Sequence, residues 1–157
     1  PLGMKSSHWT HMKFGGPPPP AAETRNPVLQ GGLVSTADDY FRFLKMLAQK
    51  GRFEGRRVLS AKSVAMMMTD QTQTAKMNQT GAVVLQNAHY SLGNWCETWD
   101  AKARCTRSSS LGAFATYPWL DQKTGRYGLI FMFRTEDAFA VWPEIQAVQT
   151  ALTQADK

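Results

Sequence analysis

Gly112-Ala113-Phe114-Ala115-Thr116-Tyr117-Pro118-Trp119-Leu120-Asp121-Gln122-Lys123-Thr124-Gly125-Arg126-Tyr127-Gly128-Leu129-Ile130-Phe131-Met132-Phe133-Arg134 is the stretch on which the fold turns. Its two arms, Gly112 to Leu120 and Arg126 to Arg134, are rich in aromatic and β-branched residues, the composition of half-buried strands. Asp121 to Gly125 between them has the chemistry of a hairpin turn, with glycine where a positive φ is needed. His89 to Trp95 has the same strand character, so the reading is three antiparallel strands.

Working outward, Trp142 to Thr153 reads as an amphipathic helix, opened by Pro143 at a first-turn position, with Ile145, Val148 and Leu152 in one stripe. Upstream, Ser35 or Thr36 can cap a helix whose first turn carries Asp38 and Asp39, where the helix dipole favours negative charge. Tyr40, Phe43, Leu44, Leu47 and Ala48 recur at helical spacing, and Gly51 stands where a positive-φ terminator belongs. Arg52 to Leu59, with Gly55 at its middle, reads as a small hairpin. Ser60 then caps a second helix with Val64, Met67 and Met68 on one side. The run Pro17 to Pro20 lacks backbone donors and favours an extended surface crossing, and Asn26 to Gln30 reads as a turn before the paired Gly31 and Gly32. The expected class is α+β, with a helix laid on one face of an antiparallel sheet. Residues 1–80 form a helical part with the proline-rich crossing, and residues 81–157 the strands and the last helix.

Composition bounds the function. The chain has 157 residues, 43% of them apolar and 19% charged, which is enough for a hydrophobic core and excludes disordered and collagen-like classes. No run approaches the ~18 apolar residues of a membrane-spanning helix. The net charge of +6 invites a nucleic-acid reading, but the basic residues are scattered from Lys5 to Lys157. The densest group, Arg52, Arg56 and Arg57, is interrupted by Phe53, Glu54 and Gly55. A solvated basic surface is therefore favoured, with no nucleic-acid partner.

The residues with reactive side chains are few. His8 and His11 are three apart, and His89 stands by itself. None has the nitrogen or sulfur companions a zinc site requires, so neither a metal nor another cofactor is expected. Cys96 and Cys105 bracket the polar stretch Glu97 to Arg104 between two expected strands. They suit a disulfide that pins the loop, which would imply a periplasmic or secreted location, with free thiols as the alternative. No serine has lysine three positions on, G-x-S-x-G is absent, and no tyrosine begins Y-x-N. Lys123-Thr124-Gly125 does spell K-T-G, a signature that should lie on a strand beside a reactive serine. Here it falls in the hairpin turn, where its glycine has a sufficient structural reason, and it is read as coincidence.

Several stretches together resemble the C-terminal portion of the serine β-lactamase-like and penicillin-binding-protein-like hydrolases, which include class C β-lactamases, D-alanyl-D-alanine carboxypeptidases and esterases. They are Pro1 to Met4, Gly31 to Tyr40, Arg57 to Ser60, Tyr90 to Gly93, Gly112 to Asp121 and Thr124 to Gly128, in the family's order. The resemblance implies that the serine-lysine and tyrosine motifs lie upstream, and the start at Pro1 reads as a cut within a longer protein. It also implies that Ser110-Leu111-Gly112 stands where K-T-G or H-T-G stands in many members, and that Ala113 N–H supplies one of two oxyanion donors. Ser110 would replace a cation with a hydroxyl, which tilts the reading from penicillin-type substrates toward esters or peptides. The expected role is a cleft wall and an oxyanion strand of an acyl-transfer hydrolase, inactive without the upstream half as partner. A non-catalytic binding or structural domain of the same ancestry is the alternative.

Overall fold

The computed structural model describes residues 2–9, 31–73, 75, 85, 88–134 and 138–154. The proline run, the turn at Asn26 to Gln30 and His11 lie outside the described residues. In chain order the elements are β1 (His8–Trp9), β2 (Leu33–Val34), α1 (Ala37–Ala48), β3 (Arg52–Phe53), β4 (Arg56–Arg57), α2 (Ala61–Met67), β5 (His89–Tyr90), β6 (Trp95–Trp99), β7 (Cys105–Ser109), β8 (Tyr117–Asp121), β9 (Tyr127–Ile130), a 3-10 turn (Ala138–Val141) and α3 (Trp142–Gln154). The class is α+β, as the residue pattern implies.

Thr36 is the residue that caps α1: its hydroxyl accepts from Asp39 N at 3.3 Å. The helix gives way to Gln49 as its C-cap, and Gly51 two residues on takes a φ of 87° and donates its N–H to Met46 O at 2.8 Å. Ser60 caps α2 in the same way, accepting from Ser63 N at 2.9 Å. Asp39 does more than meet the helix dipole. Its carboxylate is buried and accepts from Lys5 N at 3.2 Å, Ser6 N at 2.8 Å and the Ser7 hydroxyl at 3.0 Å, so it fastens the first residues to α1. Led by the Ser6 hydrogen bond, these contacts hold Asp39 below its ordinary carboxylate range.

The sheet has five strands in the order β5-β6-β7-β8-β9, every neighbour antiparallel. The three expected strands become five because the stretch around the cysteines pairs as well. β6 and β7 flank a tight turn, whereas His89 to Trp95 is broken at Ser91 to Asn94. The pattern hides β6 and β7 because their side chains are mostly small or polar, and the bulges near Thr98 shift their register. The cysteines lie on these adjacent strands and form the expected disulfide, with a Cα separation of 5.3 Å.

Two rows of paired residues cross the sheet. Trp95, Ser109, Trp119 and Gly128 are in register along one, and Cys96, Ser108, Leu120 and Tyr127 along the next. Adjacent rows face opposite sides, so each face has its own core. Trp95, Leu111, Tyr117 and Ile145 meet under α3, with Trp119 packed against them. On the other face Leu120 joins Met46, Leu47, Val64 and Met68 from α1 and α2, with Tyr127 beside them.

The stripe expected on α3 is only partly right. Ile145 is buried, but Val148 and Leu152 are 46% and 51% exposed. The helix is rolled so that Trp142, Ile145 and Gln149 face the sheet, with the Trp142 ring edge-on to the Tyr117 ring at 5.5 Å. The Tyr117 phenol donates to Glu97, whose other oxygen is 3.1 Å from Arg107 Nε. Arg107 in turn lies over the Trp119 ring at 5.3 Å.

Trp119 lies flat on its neighbour: a Cβ at Gly128 would stand 2.6 Å from the indole. Gly128→Ala is therefore expected to destabilise the chain by about 1–3 kcal/mol through overpacking, read as a lower denaturant midpoint at unchanged m-value. Replacing Cys96 and Cys105 together with alanine releases a loop of sequence separation 9. The loss should be roughly 2–3 kcal/mol, seen as a lower melting temperature that a reductant reproduces in the parent.

Candidate functional site

β7 does not stop pairing at Ser109. Ser110 N donates to Pro118 O at 3.1 Å and Gly112 N to Thr116 O at 2.9 Å, so Ser110 to Gly112 prolong the strand beside β8. The chain then turns through Ala113 and Phe114 to Ala115, which is buried at φ 64° and donates to Gly112 O at 3.0 Å. Leu111 is buried in the core beneath α3. Ser110, one residue before it, faces the α1 side and is half-buried. Ala113 is exposed at the tip of this run, and its N–H meets no acceptor among the described residues. The four residues singled out in the sequence thus form one continuous edge: a hydroxyl, an anchoring leucine, a bare glycine and an outward N–H. A Cβ at Gly112 would only touch Thr116 O at 3.4 Å, so the glycine relieves no clash within the chain.

K-T-G at residues 123–125 is a turn, as read. Asp121 Oδ1 accepts from Lys123 N at 2.8 Å and Thr124 N at 3.1 Å, and Gly125 takes a φ of 72°. A carboxylate folding the backbone over itself explains the motif without substrate chemistry.

Among the described residues no serine hydroxyl meets a histidine, lysine or tyrosine side chain. Ser91 Oγ donates to the Met67 and Thr69 carbonyls, and Ser108 Oγ to Met68 Sδ at 3.3 Å. Ser109 Oγ is buried and meets no hydrogen-bond partner among the described residues. The strand edge thus offers an unpaired backbone N–H at Ala113, and the described residues supply no activated nucleophile. Among the described residues there is also no group of three metal-ligating side chains.

One pair escaped the sequence reading. His89 Nδ1 lies 2.5 Å from Asp70 Oδ2, and the imidazole stacks on Trp99 with ring centroids 3.7 Å apart. Asp70 is fully enclosed. Its other oxygen accepts from Thr72 N at 2.9 Å, Thr72 Oγ1 at 3.1 Å and Gln73 N at 3.0 Å. Burial raises the Asp70 pKa, but the hydrogen bonds from His89, Gln73 and Thr72 outweigh it, and the net shift is downward. With both carboxylate oxygens engaged, the pair fastens the segment after α2 to the edge strand β5. The nineteen-residue separation of the two residues carries no periodic signal that could have revealed it.

No protein-family profile matches the chain. Protein Rv1367c of Mycobacterium tuberculosis (strain ATCC 25618 / H37Rv) is 37% identical over 100 residues, 62% of this chain and 23% of that protein. Protein MT1414 of the strain CDC 1551 / Oshkosh matches equally. The chain thus spans about a quarter of the curated relatives it matches. A crystal structure of a candidate beta-lactamase from Bacteroides dorei DSM 17855 superposes with a TM-score of 0.69 at 33% identity, over 84% of this chain and 40% of that one. A candidate 6-aminohexanoate-dimer hydrolase from Bacillus anthracis superposes with a TM-score of 0.54 at 17% identity, over 80% and 30%, a likeness of fold.

The depressed Asp70 pKa gives an acid limb to stability. Its contribution is complete above the ordinary aspartate value and is lost as pH falls through the lower folded value. Asp70→Asn is expected to melt below the parent at pH 7, and the gap should narrow as both are titrated toward pH 2 in thermal melts.

Proposed function

We infer that this chain, which resembles the β-lactamase-like hydrolases in sequence and fold, is the C-terminal portion of an enzyme that transfers acyl groups from an ester, amide or peptide. In such a reaction a serine attacks the carbonyl, an acyl-enzyme forms, and water releases the acyl group. S-x-x-K and Y-x-N are absent from these 157 residues, so in this reading the nucleophile comes from a segment outside them. This chain contributes one wall of the cleft and one oxyanion donor.

The observation that carries the reading is the prolonged β7 edge. Ser110 to Gly112 are held in register by β8 and deliver the exposed Ala113 N–H at their end. A fixed backbone donor beside a residue without a side chain suits a carbonyl oxygen that gains negative charge. Ser110 brings a hydroxyl and no positive charge to this edge, which favours neutral ester or peptide substrates over those with a recognition carboxylate. The Cys96–Cys105 disulfide fits a periplasmic or secreted location, and no helix among the described residues is long and apolar enough to cross a membrane.

A nitrocefin and short-chain nitrophenyl ester assay tests the reading. The chain by itself is expected to be silent, and joined to an upstream segment bearing S-x-x-K and Y-x-N it should hydrolyse the ester. In the joined protein Ala113→Pro, which removes the N–H, should lower kcat by about 10²–10³-fold, whereas Ala113→Gly retains most of it. Equal activity of the Pro and Gly variants would sink the oxyanion role. A joined protein that folds but turns over neither substrate would favour a non-catalytic binding domain of the same ancestry.

A further inference from the structure

Much of the positive charge sits in one short stretch. Residues 42–57 hold six cations, Arg42, Lys45, Lys50, Arg52, Arg56 and Arg57, against the single carboxylate Glu54, while the whole chain carries +6. The interruption at Phe53 to Gly55 is what brings them together. Phe53 turns inward to join Met46 and Leu47, Gly55 takes the turn at a φ of 78°, and β3 folds back on β4. Arg52 then stands opposite Arg57, and Arg56 opposite the buried Phe53. α1 adds Arg42 and Lys45, which lie 5.9 and 5.6 Å from the centroid of the Phe53 ring.

Like charges set directly opposite each other weaken a pair of strands, and no counter-charge relieves them here. Among the described residues the ion pairs belong to His89, Arg104 and Arg107, and none of the six cations forms one. Asp39 acts on Arg42 only at longer range, its oxygens being taken by Lys5, Ser6 and Ser7. Carbonyls steer the two facing arginines instead. Arg52 Nη1 donates to Gly55 O at 3.0 Å, and Arg57 Nη1 to Lys50 O at 2.6 Å and Leu59 O at 3.2 Å. A guanidinium has five N–H donors, so each keeps several for a guest, and Arg52, Arg56 and Arg57 are all exposed.

Residues directly opposite on a ladder share a face, so Arg52 and Arg57 cover one face of the hairpin, and Arg56, with Arg42 and Lys45, the face toward α1. A flat membrane would meet only one of these faces, whereas a flexible chain of anions can follow both. The ring beneath the cations, Phe53, is 4% exposed, and Phe41 leans on Tyr127. No open ring platform is left for bases, and stacking carries much of the affinity for single-stranded nucleic acid. We propose that the β3–β4 hairpin and the adjoining side of α1 bind a linear acidic polysaccharide, whose carboxylates or sulfates pair with the guanidiniums. The surface includes neither Ser110 nor Ala113, and its occupation does not depend on acyl transfer.

The test is a titration of a fluorescein-labelled heparin oligosaccharide with the 157-residue chain, read by anisotropy at several salt concentrations. Saturable binding that weakens with salt is expected. Arg52→Gln together with Arg56→Gln takes one cation from each face and should lower affinity roughly tenfold, with a salt slope shallower by about one to two. Lys102→Gln with Lys123→Gln removes as much charge from exposed positions outside the hairpin, and should change affinity by less than about twofold. Arg57 is kept because its carbonyl bonds hold the hairpin. Glu54→Gln removes the one local carboxylate and should tighten binding, a gain that a misfolded variant cannot imitate. Absence of saturable binding at the lowest salt, equal losses in the two double variants, or tighter binding to a single-stranded DNA of matched charge or to phosphatidylglycerol vesicles would each overturn the proposal.

Discussion

The fold depends on one alignment: Trp119 of β8 opposite Gly128 of β9, with the indole resting on bare backbone. Side chains alternate strictly along a strand, so this register assigns every neighbour to a face. Tyr117 and Trp119 go to the core under α3, and Leu120 goes to the core under α1 and α2. A slip by one residue would exchange the two sets and leave the Glu97, Arg107 and Tyr117 polar cluster without its partners. The glycine is the lock, because the ring fits over no other residue type there.

The same register fixes the candidate site. β7 lies between β6 and β8 and is paired on both edges, which makes its continuation through Ser110 and Gly112 rigid up to the turn. With the strand held, alternation puts Ser110 toward α1, Leu111 toward α3, and leaves Ala113 outside. The candidate site therefore lies at the end of a scaffolded strand, a place where backbone groups keep their direction at little entropic cost. Asn94 belongs to the turn between β5 and β6, and it reaches the α1 side only because Met67 O captures its amide.

Much of this was legible in the residues. Caps, terminator, small hairpin and the Asp121 to Gly125 turn are local, and local chemistry predicts them. The strands β6 and β7 were harder, because Thr98, Thr106 and Ser108 give no apolar alternation and the irregular pairing near Thr98 breaks what remains. The disulfide was accessible from spacing even though its strands were not. On α3 the apolar stripe misled, since Gln149 faces the sheet where Val148 was expected; a buried phenol and carboxylate reward a polar partner there. Asp70 with His89, and Asn94 with Met67, join residues at separations unrelated to any helical or strand period. Such pairs become visible only once the chain is folded.

Asp39 has a consequence for how the chain is made. Its contacts reach back 32 to 34 residues, to Lys5, Ser6 and Ser7. During synthesis those residues emerge before α1, and the carboxylate that receives their donors follows about 2 to 7 seconds later at ordinary elongation rates. Until then their backbone donors are held by water. Lys5, Ser6 and Ser7 are consequently recruited by a helix that does not yet exist when they leave the ribosome, and within this part of the chain the order of docking does not follow the order of translation.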